Sequence, residues 1–155
     1  EDQWAIGGIK KTGQWDTNLE EVWHVVSAGW YEVYPKYFGN KESMLHEAMD
    51  KARGGKFEEV PSKYPKSAWY TYNDKGCSYE CQAHEYFYWI LMANINALNL
   101  SYTDKCSPND EWNICNRFDL KKKDILAYEL LNNYDFIFPT KIPNGEYKPN
   151  IINVH

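Results

Sequence analysis

The sequence predicts a mainly α fold: a single domain of four to five helices around a central buried helix at 77–98, with short extended or β arms at both ends. Three observations predict it. Residues 77–98, CSYECQAHEYFYWILMANINAL, lie in the longest run without Pro or Gly and are apolar on nearly every side from Tyr86 to Met92. A helix that is apolar most of the way round is a buried one. The length of 155 residues suits one core. Pro and Gly signals at Tyr34-Pro35, Gly54-Gly55 and Gly76 cut the chain before that helix into helix-length pieces.

Residues 1–16 read as a short strand or extended arm with a turn at its glycines. Gly7-Gly8 is not a phosphate loop, because no Lys-Ser/Thr follows in frame. Asp16 or Thr17 caps a helix from about Asn18 to Val33, which Tyr34 before Pro35 ends. Its apolar stripe is Leu19, Val22, Trp23, Val26, Trp30 and Val33. The other face carries Glu20, Glu21, His24, Ala28 and Tyr31. Asn40 or Ser43 starts a second helix that runs to Arg53 and stops at Gly54-Gly55. Met44, Leu45, Ala48, Met49 and Ala52 face inward, with His46 and Glu47 expected outside that face.

Residues 56–66 form a loop, 67–72 a short helix or strand, and 73–76 a turn. In the central helix Glu85 shares a stripe with Tyr88, Trp89, Met92 and Ile95, and His84 lies on the next stripe with Phe87, Leu91 and Leu98. The helix could just reach across a bilayer, but Glu85, His84, Gln82 and two asparagines argue against a membrane span. Ser107-Pro108 opens a short helix at 108–116. Asp119 caps another, from Leu120 to Leu131 or Asn132, with Lys121–Lys123 as a solvated face. The tail from 134 is extended and carries a turn at Pro143-Asn144-Gly145.

The net charge of −5 argues against nucleic acid as the partner. Aromatic residues make up 17% of the chain, more than a small core needs, and Tyr and Trp suit ligand pockets and interfaces. Cys77, Cys81, Cys106 and Cys115 give an even count that is compatible with two disulfides, and their spacing does not match the common zinc sites. Connectivity stays open. A 77–81 bridge has poor geometry unless that helix end is unwound, and crossed bridges from the helix start to the 106–115 loop fit better. Asn99-Leu100-Ser101 is an acceptor for N-glycosylation. With the cysteines it favours a secreted, extracellular protein. The chain begins at Glu1 without a signal peptide, so a processed form is expected.

No G-x-S-x-G elbow is present. The most specific enzymatic pattern is a metal site. Glu20, Glu21 and His24 lie on one side of the first helix, and Glu85 projects from another, which is how helical zinc sites are assembled. A zincin-like site needs a second histidine four residues on, and Ala28 stands there. His46-Glu47 likewise meets Asp50 instead of a histidine. Solvated first-turn acids beside a half-buried histidine are the plain alternative.

Several segments together resemble a little-characterised, metallopeptidase-like group of domains from bacteria and marine animals. They are Glu20-Glu21-Val22-Trp23-His24 with Gly29-Trp30, then Ala48–Gly55, then Tyr64-Pro65 to Tyr72. Cys77-x-Tyr79-x-Cys81-x-x-x-Glu85-Tyr86-x-Tyr88-Trp89, Pro139-Thr140 and Pro143-x-Gly145 complete the set. The likeness covers most of residues 18–147. It implies metal-binding positions at His24 and Glu85, and the departure at Ala28 implies a scaffold whose use has changed.

A disused cleft walled by Trp23 or Trp30, Tyr72, Tyr88, Trp89 and Trp112, with His24 and His84 as polar groups, would suit a flat apolar ligand. The leading expectation is a non-enzymatic secreted binding protein for an apolar conjugated small molecule, a carotenoid-type pigment first among them. Such a ligand exceeds one domain, so a homo- or hetero-dimer is expected. The alternative is a zinc-dependent metallopeptidase-like hydrolase using His24, Glu21 and Glu85, and a third is a structural or protein-interaction module.

Overall fold

The computed structural model describes residues 17–98, 105–107 and 110–142. Over those residues the fold is mainly helical, as expected. The helices are α1 (Thr17–Val33), α2 (Met44–Arg53), α3 (Tyr79–Asn94), α4 (Arg117–Lys123) and α5 (Ile125–Leu131), with a π-helical turn at Pro35–Gly39 between α1 and α2. The described residues contain no strand, only an isolated antiparallel bridge between Tyr70 and Trp112. No helix among them is long and apolar enough to cross a membrane. The expected arms at 1–16 and 143–155 and the acceptor Asn99 lie outside the described residues.

Local signals set the helix ends. The Ser43 side chain accepts from the His46 amide at the start of α2, and Gly54, at φ 78°, closes it in the left-handed conformation that glycine adopts without strain. The π-turn packs back on α1 so closely that a Cβ on Gly39 would lie 2.2 Å from the Tyr31 carbonyl oxygen. Ser78 caps α3 by accepting from the Cys81 amide.

That cap corrects the expected cysteine pairing. The disulfides are Cys77–Cys81 and Cys106–Cys115, not crossed. Helix α3 begins only at Tyr79, so Cys77 sits outside it and can fold back onto Cys81.

Helix α3 is the centre of the core, and every residue from Tyr86 to Asn94 is buried. Phe87 stacks on Phe38 with centroids 5.2 Å apart and meets Trp23 edge-on at 5.3 Å. Arg53 is fully buried and ties α2 to α3 by donating to Asp50, Gln82 and the Phe57 carbonyl.

Four further expectations change. His46 is buried rather than outside the α2 face, where its Nδ1 lies 2.8 Å from Ser43 Oγ. The described part of 108–116 is not helical: Thr71 donates to the Glu111 carbonyl and Asn113 to that of Trp69. The last expected helix is broken in two at Asp124, which closes α4 and caps α5. Asp124 is fully buried because Trp69 Nε1 and the Tyr86 hydroxyl both donate to it, at 2.8 and 2.7 Å.

The fourth change matters most. Helix α1 is rotated from its expected setting. Val22, Val26 and Val33 are exposed, whereas Trp23 and Ser27 are buried. Glu20, His24 and Tyr31 are thereby half-buried against α3.

Candidate metal centre

Helix α1 presents Glu20 and His24 one turn apart on its inner side, and α3 presents Glu85 opposite them. All three are half-buried, and one donor atom from each lies within 4.8 Å of the others. His24 Nε2 is 3.6 Å from Glu85 Oε2. It is buried and has no hydrogen-bond partner. Its other ring nitrogen is 3.9 Å from a carboxylate oxygen of Glu21, a side chain that is 79% exposed. Glu20, rather than Glu21, completes the buried group.

The electrostatics of the group are unfavourable as it stands. Burial pushes the Glu20 carboxyl up to about 8, and the Glu85 carboxyl within hydrogen-bonding reach and its charge add to this, followed by the charges of Glu111 and Glu21. Glu20 therefore keeps its proton near neutral pH. A divalent cation would relieve that repulsion and give the orphaned imidazole nitrogen its partner. One histidine and two carboxylates, with a further position free, form a donor set that zinc accepts. The residues fit the metal.

Aromatic hydroxyls surround the group. Burial, followed by the Glu85 charge, holds the Tyr72 hydroxyl well above the usual range, so it keeps its proton. Burial and Glu85 likewise push up Tyr31, whose buried hydroxyl has no hydrogen-bond partner. The Tyr31 ring stacks on His84 at 4.1 Å. His84 stays outside the donor group, its ring 6.5 Å from that of His24, and its pKa is lowered by burial and by His24.

Two cavities flank these elements. A cleft of about 470 Å³ is lined by Tyr64, Thr71, Tyr72, Lys75 and Glu111 among others. An apolar groove of about 260 Å³ lies between α1, α3 and the chain near Ile142, with Trp23, Val26 and Met92 on its walls.

The aromatic residues nominated for one wall are dispersed. Tyr88, Trp89 and Trp112 are core residues, at most 4% exposed. Trp30 stacks on Phe138 at 4.6 Å. Trp23 lines the apolar groove and Tyr72 the polar cleft, and neither of these two cavities touches Trp30, Tyr88, Trp89 or Trp112. Sequence reasoning did not single out Glu111 or connect Tyr72 with Glu85. The i, i+4 spacing of Glu20 and His24 was the signal for the α1 half of the group. No family model, curated protein or solved structure matches this chain.

Proposed function

We propose that this chain binds a divalent cation, zinc foremost, through Glu20, His24 and Glu85, and acts as a metal-dependent hydrolase. The observation that carries the reading is the buried Nε2 of His24, which has no hydrogen bond and lies 3.6 Å from Glu85 Oε2, beside a second carboxyl that burial and Glu85 keep protonated. A bound zinc would supply Lewis-acid polarisation. The chain supplies the rest. Glu20 and Glu85 would hold the cation with His24, and the Tyr72 hydroxyl, raised by burial and the Glu85 charge, keeps its proton. The two disulfides suit the oxidising, extracellular setting expected for the chain. Metal analysis after dialysis against zinc tests the reading. Stoichiometric zinc that is lost in His24→Ala supports it, and zinc retained equally by the variant contradicts it.

A second reading rests on the apolar groove. An apolar conjugated ligand such as a carotenoid would find aliphatic and indole walls there. The groove, at about 260 Å³, is smaller than the roughly 300–1,000 Å³ of drug-sized sites. It would take one end of such a chromophore, and a second copy would take the other. The absorption spectrum of the protein from its natural source decides this: a visible band supports the reading and a colourless sample removes it.

A further inference from the structure

We propose that a third cavity, between the ends of α3 and α5, binds a small organic carboxylate with an apolar body, held through Arg117. None of Glu20, His24 and Glu85 lines this cavity, so the proposal is independent of the cation reading.

The cavity holds about 410 Å³, within the roughly 300–1,000 Å³ of small-molecule sites. Its walls are Asn94 and Asn96 at the end of α3, Arg117 at the start of α4, and Asn132, Asn133 and Tyr134 after α5. Leu131 and Phe136, both buried, add apolar surface. The chain as a whole carries a net charge of −5. Yet among the described residues that line the cavity, Arg117 is the one charged group, and no carboxylate opposes it.

Hydrogen bonds decide what the asparagines offer a ligand. Asn96 takes the left-handed backbone at φ 58°, which asparagine tolerates, and its Oδ1 accepts from the Arg117 amide at 2.9 Å. Asn94 Oδ1 accepts from Asn132 Nδ2 at 3.1 Å, and Asn133 Oδ1 accepts from the Asp135 amide at 3.0 Å. Asn132 Oδ1 accepts from the Arg117 guanidinium, which also lies 5.4 Å from the Tyr128 ring centre. All four amide oxygens are thus engaged within the chain. The Nδ2 groups of Asn94, Asn96 and Asn133 donate no hydrogen bond among the described residues.

The polar lining is therefore rich in N–H donors. An ionised carboxylate only accepts, and it takes a guanidinium in paired, charge-assisted bonds. A sugar would bring hydroxyl protons to amide oxygens already in use. Tyr134 and Ile137 also line the cavity and are almost wholly exposed, so an apolar ligand body would cover surface that now meets water.

The test is isothermal titration of the full chain with phenylacetate, in chelator so that no metal takes the carboxylate. Saturable binding is expected. Phenylacetamide, of the same shape and without the charge, should bind about ten-fold more weakly, and Arg117→Gln should weaken phenylacetate by about the same factor, the worth of a hydrogen bond to a charged group. Arg117 also braces Asn132, so a second variant leaves it in place. Ile137→Glu, at an exposed position on the rim, sets a like charge beside the ligand and should weaken phenylacetate about five-fold, with Ile137→Gln weakening it less. No saturable binding by the wild type, equal affinity for phenylacetamide, or unchanged phenylacetate affinity in either Arg117→Gln or Ile137→Glu overturns the proposal.

Discussion

His24 Nε2 and Glu85 Oε2 face each other across the α1–α3 interface at 3.6 Å, too far for a hydrogen bond. Glu20, one turn before His24 on the same helix, brings a carboxylate oxygen within 4.8 Å of both. Buried polar atoms in native proteins nearly always find partners. An imidazole nitrogen without a hydrogen bond, facing two carboxyls that repel each other when ionised, describes a space for a cation.

Stability without metal should depend on pH through Glu20. Its carboxyl is raised from 4.5 to about 8 in the folded chain. Between those values the folded state binds more protons than the unfolded one, so stability is complete below 4.5 and falls as pH rises toward 8. Urea midpoints measured in chelator should decline from pH 6.5 to 8, above the window of His46. Glu20→Gln should flatten that decline, and saturating zinc should reverse it.

His46 works in the opposite direction. Burial lowers it from 6.5 to about 4. The unfolded chain takes up a proton below 6.5 and the folded chain resists until about 4, so stability is complete above 6.5 and lost as pH falls. His46→Gln should reduce this acid loss in urea titrations from pH 7 to 4. It leaves the Glu20 slope in place above pH 6.5, where His46 no longer contributes, and it unmasks that slope between 4.5 and 6.5, where the two groups act in opposite directions.

Arg53 should be among the costliest single positions outside the metal group. Its guanidinium is fully buried and bonded to Asp50, Gln82 and the Phe57 carbonyl. Arg53→Ala should destabilise the fold by about 3–5 kcal/mol, the range for breaking a buried charge network. Gln82→Ala should cost less, since Asp50 still pairs with the guanidinium. Chemical denaturation of the two variants measures the difference.

The cysteine pairing is checked by peptide mapping without reduction, which should recover Cys77 with Cys81 and Cys106 with Cys115. Each bridge closes a short loop, so removing either pair should cost about 2–3 kcal/mol on loop entropy, the 106–115 pair slightly more.

What the sequence made legible was local. Ser43, Gly54 and the apolar run of α3 each act through neighbours in the chain; α2 lies where expected, and α3 lies within the expected 77–98 but is shorter at both ends, Tyr79–Asn94. Asp124 breaks a helix because Trp69 and Tyr86, distant in sequence, donate to it. His46 looked peripheral because its burial comes from tertiary packing, not from the α2 stripe. The setting of α1 was misjudged for a similar reason. Its valines outvote Glu20 and His24 on hydrophobicity, yet the large Trp23 and the partners offered by α3 turn the polar pair inward. His24 and Glu85 were visible as candidates. Which glutamate joins them depends on that rotation.

The most direct test of the central claim is zinc content after equilibrium dialysis, measured by mass spectrometry on the wild type and on a Glu20→Gln/His24→Ala double variant. One zinc per wild-type chain, and less than a tenth of that in the double variant, is the predicted result. Equal zinc in both proteins, or none in either, would contradict a cation site between α1 and α3.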